Sequence, residues 1–143
     1  ILINRILEDE KKLGLTNEKT FKKFIKYIDN SKKKLVKMLK RFKKQGKKTH
    51  CYGASTKGNV LLQYYKIDYK LIDAVAERNK NKYNLFTPGT KIKIISENLS
   101  RFYKPNYYLV LPWHFKKEIL NRERIIRKKG TKFIFPLPKL RVV

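Results

Sequence analysis

The stretch Tyr52-Gly53-Ala54-Ser55-Thr56-Lys57-Gly58-Asn59 gathers residue types that can hold a diphosphate. Gly53 and Gly58 accept backbone conformations that bring N–H groups close to a phosphate. Ser55 and Thr56 offer hydroxyl donors, and Lys57 offers a full positive charge. A helix opening near Gly58 adds unpaired N–H groups and partial positive charge. The spacing is not G-x-G-x-x-G, and the Lys-Ser/Thr pair of a Walker A loop does not follow Gly58. An ordinary strand-to-helix turn with a surface lysine fits the same residues, and spacing alone leaves both readings open.

Glu77 lies 24 positions after Gly53 (77 − 53), near the distance at which an acid accepts hydrogen bonds from ribose hydroxyls in Rossmann-type sites. A strand-end carboxylate paired with Arg78 or a nearby lysine fits equally. Trp113 has the surface to stack on a base or sugar, although a core or domain-interface tryptophan is the commoner use. His114 is of the residue type that most often serves as a general base, yet only Glu118 follows closely enough to orient it. A binding or structural role is therefore expected of His114. His50 and Cys51 are expected to be packed within a strand. No Cys/His cluster has zinc spacing, no Ser/His/Asp arrangement stands out, and no G-x-G-x-G loop of the kind that binds SAM occurs. Chemistry alone reads as a phosphate-ligand-binding domain without evident catalytic machinery.

The elements that must position these residues follow from hydrophobic spacing. Leu2, Ile3, Ile6 and Leu13 suggest a helix ended by Gly14. Phe21, Phe24, Ile25, Ile28, Leu35, Val36, Leu39 and Phe42 predict a second helix, capped by Thr16, ended near Gly46 and open to a break at Asp29-Asn30-Ser31. Strands are expected at 48–52, 71–76, 91–95, 107–111 and 133–135. Helices are expected over 58–65 and 115–129. Alternating strands and helices imply an α/β, Rossmann-like three-layer domain with a mainly parallel sheet. Its boundaries are a helical lead-in at 1–46 and the nucleotide-binding part at 47–143. Ligands should gather beyond the strand ends, where loops 53–59, 77–89 and 112–115 are expected to meet.

The 143 residues suffice for one core. A first residue of Ile1 reads as a piece of something longer or a processed chain. No apolar run approaches the roughly 20 residues that span a bilayer, and no signal-peptide layout is present. One cysteine excludes an internal disulfide, so a reducing, cytoplasmic setting is expected. Against 11 acids stand 37 lysines and arginines. That excess attracts anions, nucleic acid included, and a basic nucleic-acid-binding module is the alternative reading. The cations form no single tail or block, which favours a general preference for anionic ligands.

The string from Tyr52 to Asn59, continued by Val60-Leu61-Leu62-Gln63-Tyr64, resembles the hallmark loop of the C-terminal domain in the SAM-dependent NDP-hexose C-methyltransferase family. Glu77-Arg78-Asn79 with Lys82, and Thr87-Pro88-Gly89-Thr90 with Ile92 and Ile94, resemble its next two blocks. Leu109-Val110-Leu111-Pro112-Trp113-His114-Phe115, then Gly130 and Pro136-Leu137-Pro138, resemble the rest. The resemblance implies a parent with an N-terminal zinc-binding part, a SAM-binding domain upstream and this substrate-holding domain. It implies methylation beside the 4-keto group of a nucleoside-diphosphate deoxysugar, with Gly53, Ala54, Ser55, Thr56, Lys57, Gly58 and Asn59 toward the diphosphate. Glu77 or Arg78 would contact the neighbouring rim, Trp113 and His114 are further substrate-binding candidates, and SAM and, in the main, the catalytic base would belong elsewhere in the parent. No metal, no cofactor and no membrane contact is expected of this chain.

Overall fold

A computed structural model describes residues 2–143. One compact unit ends at Lys33, and a second runs Lys34–Val143. The first contains helix α1 (Leu2–Lys12) and the start of α2 (Glu18–Lys44). Helix α2 runs unbroken through Asp29-Asn30-Ser31, where the sequence left a break or bend open. Such polar residues cost a helix interior only about 0.5 kcal/mol each, and the apolar spacing resumes at Leu35 and Leu39. Its cap is Asn17 rather than Thr16, since Asn17 Oδ1 accepts from the Lys19 N–H at 2.9 Å.

The second unit holds six strands: β1 (Thr49–Tyr52), β2 (Ala74–Glu77), β3 (Ile94–Ser96), β4 (Tyr107–Val110), β5 (Lys132–Phe135) and β6 (Arg141–Val142). Their order is β3-β2-β1-β4-β5-β6, parallel throughout except for the antiparallel β6. This is the α/β, Rossmann-like three-layer arrangement. In β1 the burial is continuous, as expected of a strand covered on both faces. Alternation then sorts the core. His50 and Tyr52 share a face with Tyr108 and Val110, and Cys51 shares the other with Val75, Leu109 and Ile134.

Helix α3 (Thr56–Tyr65) covers the Cys51 face, where Gly58 sits against Leu111. The end of α2 joins it by stacking Phe42 on Tyr107 at 3.9 Å. Helices α4 (Glu97–Phe102), α5 (Lys116–Arg122) and α6 (Arg124–Lys128) serve the opposite face. There Ile119 completes a core of Tyr52, Tyr108, Val110, Phe133 and Phe135. The expected helix over 115–129 is divided at Glu123, whose backbone leaves the helical range and whose side chain is drawn into the interior. Helix α4 and strand β6 lie outside the sequence expectation, being too short for a periodic signal. Among the described residues no helix is long and apolar enough to cross a membrane.

Candidate functional site

Strand order reverses at β1 and β4: β2 and β3 lie to one side of β1, and β4 and β5 to the other. In open parallel sheets this reversal opens a crevice beyond the carboxyl ends of the strands. The loop after β1 and the loop after β4 both emerge there. Leu111 N–H donates to Tyr52 O at 3.1 Å, which fixes the two loops side by side.

Gly53 has φ +80, and a Cβ there would lie 3.1 Å from Pro112 Cδ. Both the conformation and the neighbour exclude a larger residue. At Gly58 a Cβ would stand 2.5 Å from Leu111 Cβ and 2.9 Å from Ser55 Oγ. This glycine lets α3 settle directly on β4. Gly53 and Gly58 thus fill the roles of the first and last glycines of a dinucleotide fingerprint, the tight turn and the close helix–strand contact. Ser55 stands where the middle glycine would be. Its Oγ accepts from Gly58 N–H at 3.1 Å and caps α3, which begins at Thr56, two residues before the expected start. Thr56 and Lys57 are exposed in the first turn, where helical N–H groups have no intrahelical acceptor.

Glu77 braces this loop. Its Oε2 accepts from Ala54 N–H at 2.7 Å, and its Oε1 accepts from Arg78 and Asn79 N–H at 2.8 and 2.9 Å. Burial raises the carboxyl's pKa, but those three N–H groups and the Lys82 ammonium outweigh it and hold it below the usual carboxylate range. Lys82 Nζ also donates to Ala54 O at 3.0 Å. Tyr83 Oη donates to Arg78 O at 3.2 Å, and Gln63 reaches Pro88 O at 3.1 Å. The loops at 53–59, 77–89 and 112–115 therefore meet, as the sequence suggested. Glu77 and Lys82 grip the loop backbone. Sequence spacing offered no signal for the Lys82 contact, because the lysine spans 28 residues to one carbonyl.

Beyond β4, Trp113 is partly buried against the core that contains Tyr52 and Phe135. His114 is exposed, with its ring 4.3 Å from Phe115. His50 is buried, its Nδ1 2.8 Å from Ser100 Oγ, which lies 2.7 Å from Tyr108 Oη. Burial drives the His50 pKa down to about 4, with Lys48 assisting and Asp73 opposing. Cys51 is fully buried, and burial pushes its thiol far above its ordinary value. Neither is available to a ligand. Asn59 Oδ1 is buried without a hydrogen-bond partner among the described residues.

A model of the C-methyltransferase C-terminal domain matches residues 2–138. The chain belongs to that family. The domain is also 28% identical over 141 residues to the C-methyltransferase NovU of Streptomyces niveus, which covers 99% of this chain and 34% of the relative. It thus spans about a third of that curated protein's length. In this C-methyltransferase C-terminal domain, the crevice at the strand reversal is the candidate site.

Proposed function

We propose that the domain holds the nucleoside diphosphate of a nucleotide sugar for a SAM-dependent C-methyltransferase. The observation that carries the reading is the loop after β1. It is pinned by Glu77 and Lys82, seated on Leu111 through Gly58, and left with Thr56 and Lys57 open at the start of α3. Anions bind such helix starts because unpaired N–H groups and the helix dipole attract negative charge. Lys57 adds the charge that a diphosphate requires. Trp113 and His114 follow β4 on the neighbouring loop, and the reading assigns them to the rim of the same crevice.

The sequence carries no G-x-G-x-G loop of the kind expected in a SAM-binding fold. Methyl donation is therefore assigned to a SAM-binding domain elsewhere in the parent, together with the base that deprotonates the carbon beside the ketone. This domain's contribution is orientation, which keeps the acceptor sugar in reach of that second site. The family membership and the NovU relative support a methyltransferase context, and the sugar class comes from the sequence resemblance.

Calorimetric titration of the chain with a panel of nucleoside-diphosphate sugars tests the reading. Saturable binding is expected, weakened roughly tenfold or more by Lys57→Ala, the scale of one lost charged hydrogen bond. No binding across the panel, with SAM binding instead, would refute it.

A further inference from the structure

The hydroxyl of Tyr52 closes a ring of side chains at the end of β1. Tyr52 Oη donates to Glu123 Oε1 at 2.6 Å and accepts from Arg122 Nη2. Arg122 Nη2 also donates to Glu97 Oε1 at 2.7 Å. Arg101 Nη2 donates to Glu97 Oε2 at 3.1 Å and to Glu123 Oε1 at 2.6 Å, which completes the circuit. Two carboxylates, two guanidiniums and one phenol balance without an external ion. A buried ion cluster adds little stability over apolar packing of the same shape, whereas its directional bonds admit one arrangement. Position, then, is what the ring secures.

Both loops at the strand reversal are tied to it. Tyr52 is the last residue of β1, and Gly53 follows with φ +80. Tyr52 O accepts from Leu111 N–H at 3.1 Å, and Gly53 N–H donates to Ala76 O at 2.8 Å. The backbone at Tyr52 thus fixes where the loop after β1 leaves the sheet. On the other side, Arg122 is the last residue of α5, and Lys116 is the first, directly after Trp113-His114-Phe115. A helix of 7 residues is a rod of about 10 Å. Ile119 seats it on the core, and Trp113 packs against the same cluster as Tyr52. A shift of Tyr52 against Arg122 therefore changes the distance between the Gly53 turn and the Trp113–His114 segment. Binding constellations tolerate displacements of only about 0.5 Å. We propose that Tyr52 is a positioning residue: held at its hydroxyl by Arg122 and Glu123, it sets the separation of the two loops and so the affinity of the crevice for a nucleotide sugar. The ligand in this claim rests on the reading above, and the loop spacing does not.

Tyr52→Phe tests the role, because the ring keeps its edge contacts with Tyr108 and Phe133 and only the hydroxyl is lost. Arg122→Gln is a second variant, at a side chain 32% exposed that leaves no cavity behind. Ile134→Val, on the opposite face of the sheet and away from both loops, controls for a loss of stability alone. Hydrogen–deuterium exchange of the free chain is read at the Gly53, Ala54 and Leu111 amides relative to that of Val75. That ratio should rise at least about tenfold in Tyr52→Phe and Arg122→Gln and stay level in Ile134→Val. Calorimetry with nucleoside-diphosphate sugars should show roughly tenfold weaker binding by the first two variants and less than about a twofold change in the control. An unchanged exchange ratio in Tyr52→Phe, an unchanged affinity, or an affinity loss matched by Ile134→Val would overturn the positioning role. A wild-type chain that binds no nucleotide sugar removes the reading of the site and the affinity clause with it, and the exchange ratios then decide the loop spacing on their own.

Discussion

Gly58 illustrates how much one atom decides at this site. A methyl group there would press 2.5 Å from Leu111 Cβ, far inside van der Waals contact with a buried strand-end residue. Gly58→Ala should destabilise the domain by about 1–3 kcal/mol, the usual cost of overpacking, as read from urea unfolding. His50 supplies a test by pH. Its folded pKa of about 4 lies below the ordinary histidine value of 6.5, so the unfolded chain binds more protons between these values. Its contribution is therefore fully present above about pH 6.5 and is lost as pH falls toward 4, on the order of 3 kcal/mol in all. Unfolding free energies measured across that window should slope upward with pH, and His50→Gln should flatten the slope. The residue types of the loop, its two glycines and Lys57, were legible from the sequence. The use of Ser55 as a cap and of Glu77 as a brace was not, because hydrogen-bond partners depend on where the other chain segments pass.

Among the elements, the break between α5 and α6 is the instructive one. A continuous helix was expected over 115–129 because Ile119 and Ile126 keep helical spacing. The fold interrupts it to bury Glu123, which is 2% exposed. Its Oε1 accepts from Tyr52 Oη and Arg101 Nη2, each at 2.6 Å, and its Oε2 accepts from Arg101 Nε at 3.2 Å. Arg122 donates to Tyr52 Oη and to Glu97. Burial raises the Glu123 carboxyl's pKa, but Arg101, Tyr52 and Arg122 overcome that and hold it low. The network ties α4 and the α5–α6 junction to the last residue of β1, immediately before Gly53. Removing one partner from a buried ion pair leaves the others uncompensated. Glu123→Ala should cost about 3 kcal/mol in chemical denaturation, the low end for such pairs, since Arg101 and Arg122 keep 31% and 32% of their side-chain surface in water. A loss below about 1 kcal/mol would show the network to be dispensable. Helical periodicity cannot foresee such a break, because its cause is a charge cluster assembled from segments 20 and more residues apart.

At the scale of the whole molecule, the order of elements was readable because buried parallel strands leave continuous apolar runs such as Tyr107-Tyr108-Leu109-Val110-Leu111. The strand order was not written in any local pattern. It placed the loops after β1 and β4 beside one another and so turned an ambiguous glycine pair into one wall of a crevice. The family match then named the domain. The large positive charge remains compatible with any anionic ligand, so the position of binding decides more than its strength. Amide chemical-shift mapping of the isotopically labelled chain, titrated with a nucleoside-diphosphate sugar and separately with SAM, reads that position directly. The account predicts saturable shifts concentrated at residues 53–59 and 113–114 with the nucleotide sugar, and none there with SAM. Shifts confined to the lysines of α2, or a 53–59 loop that responds to SAM and not to the nucleotide sugar, would contradict it.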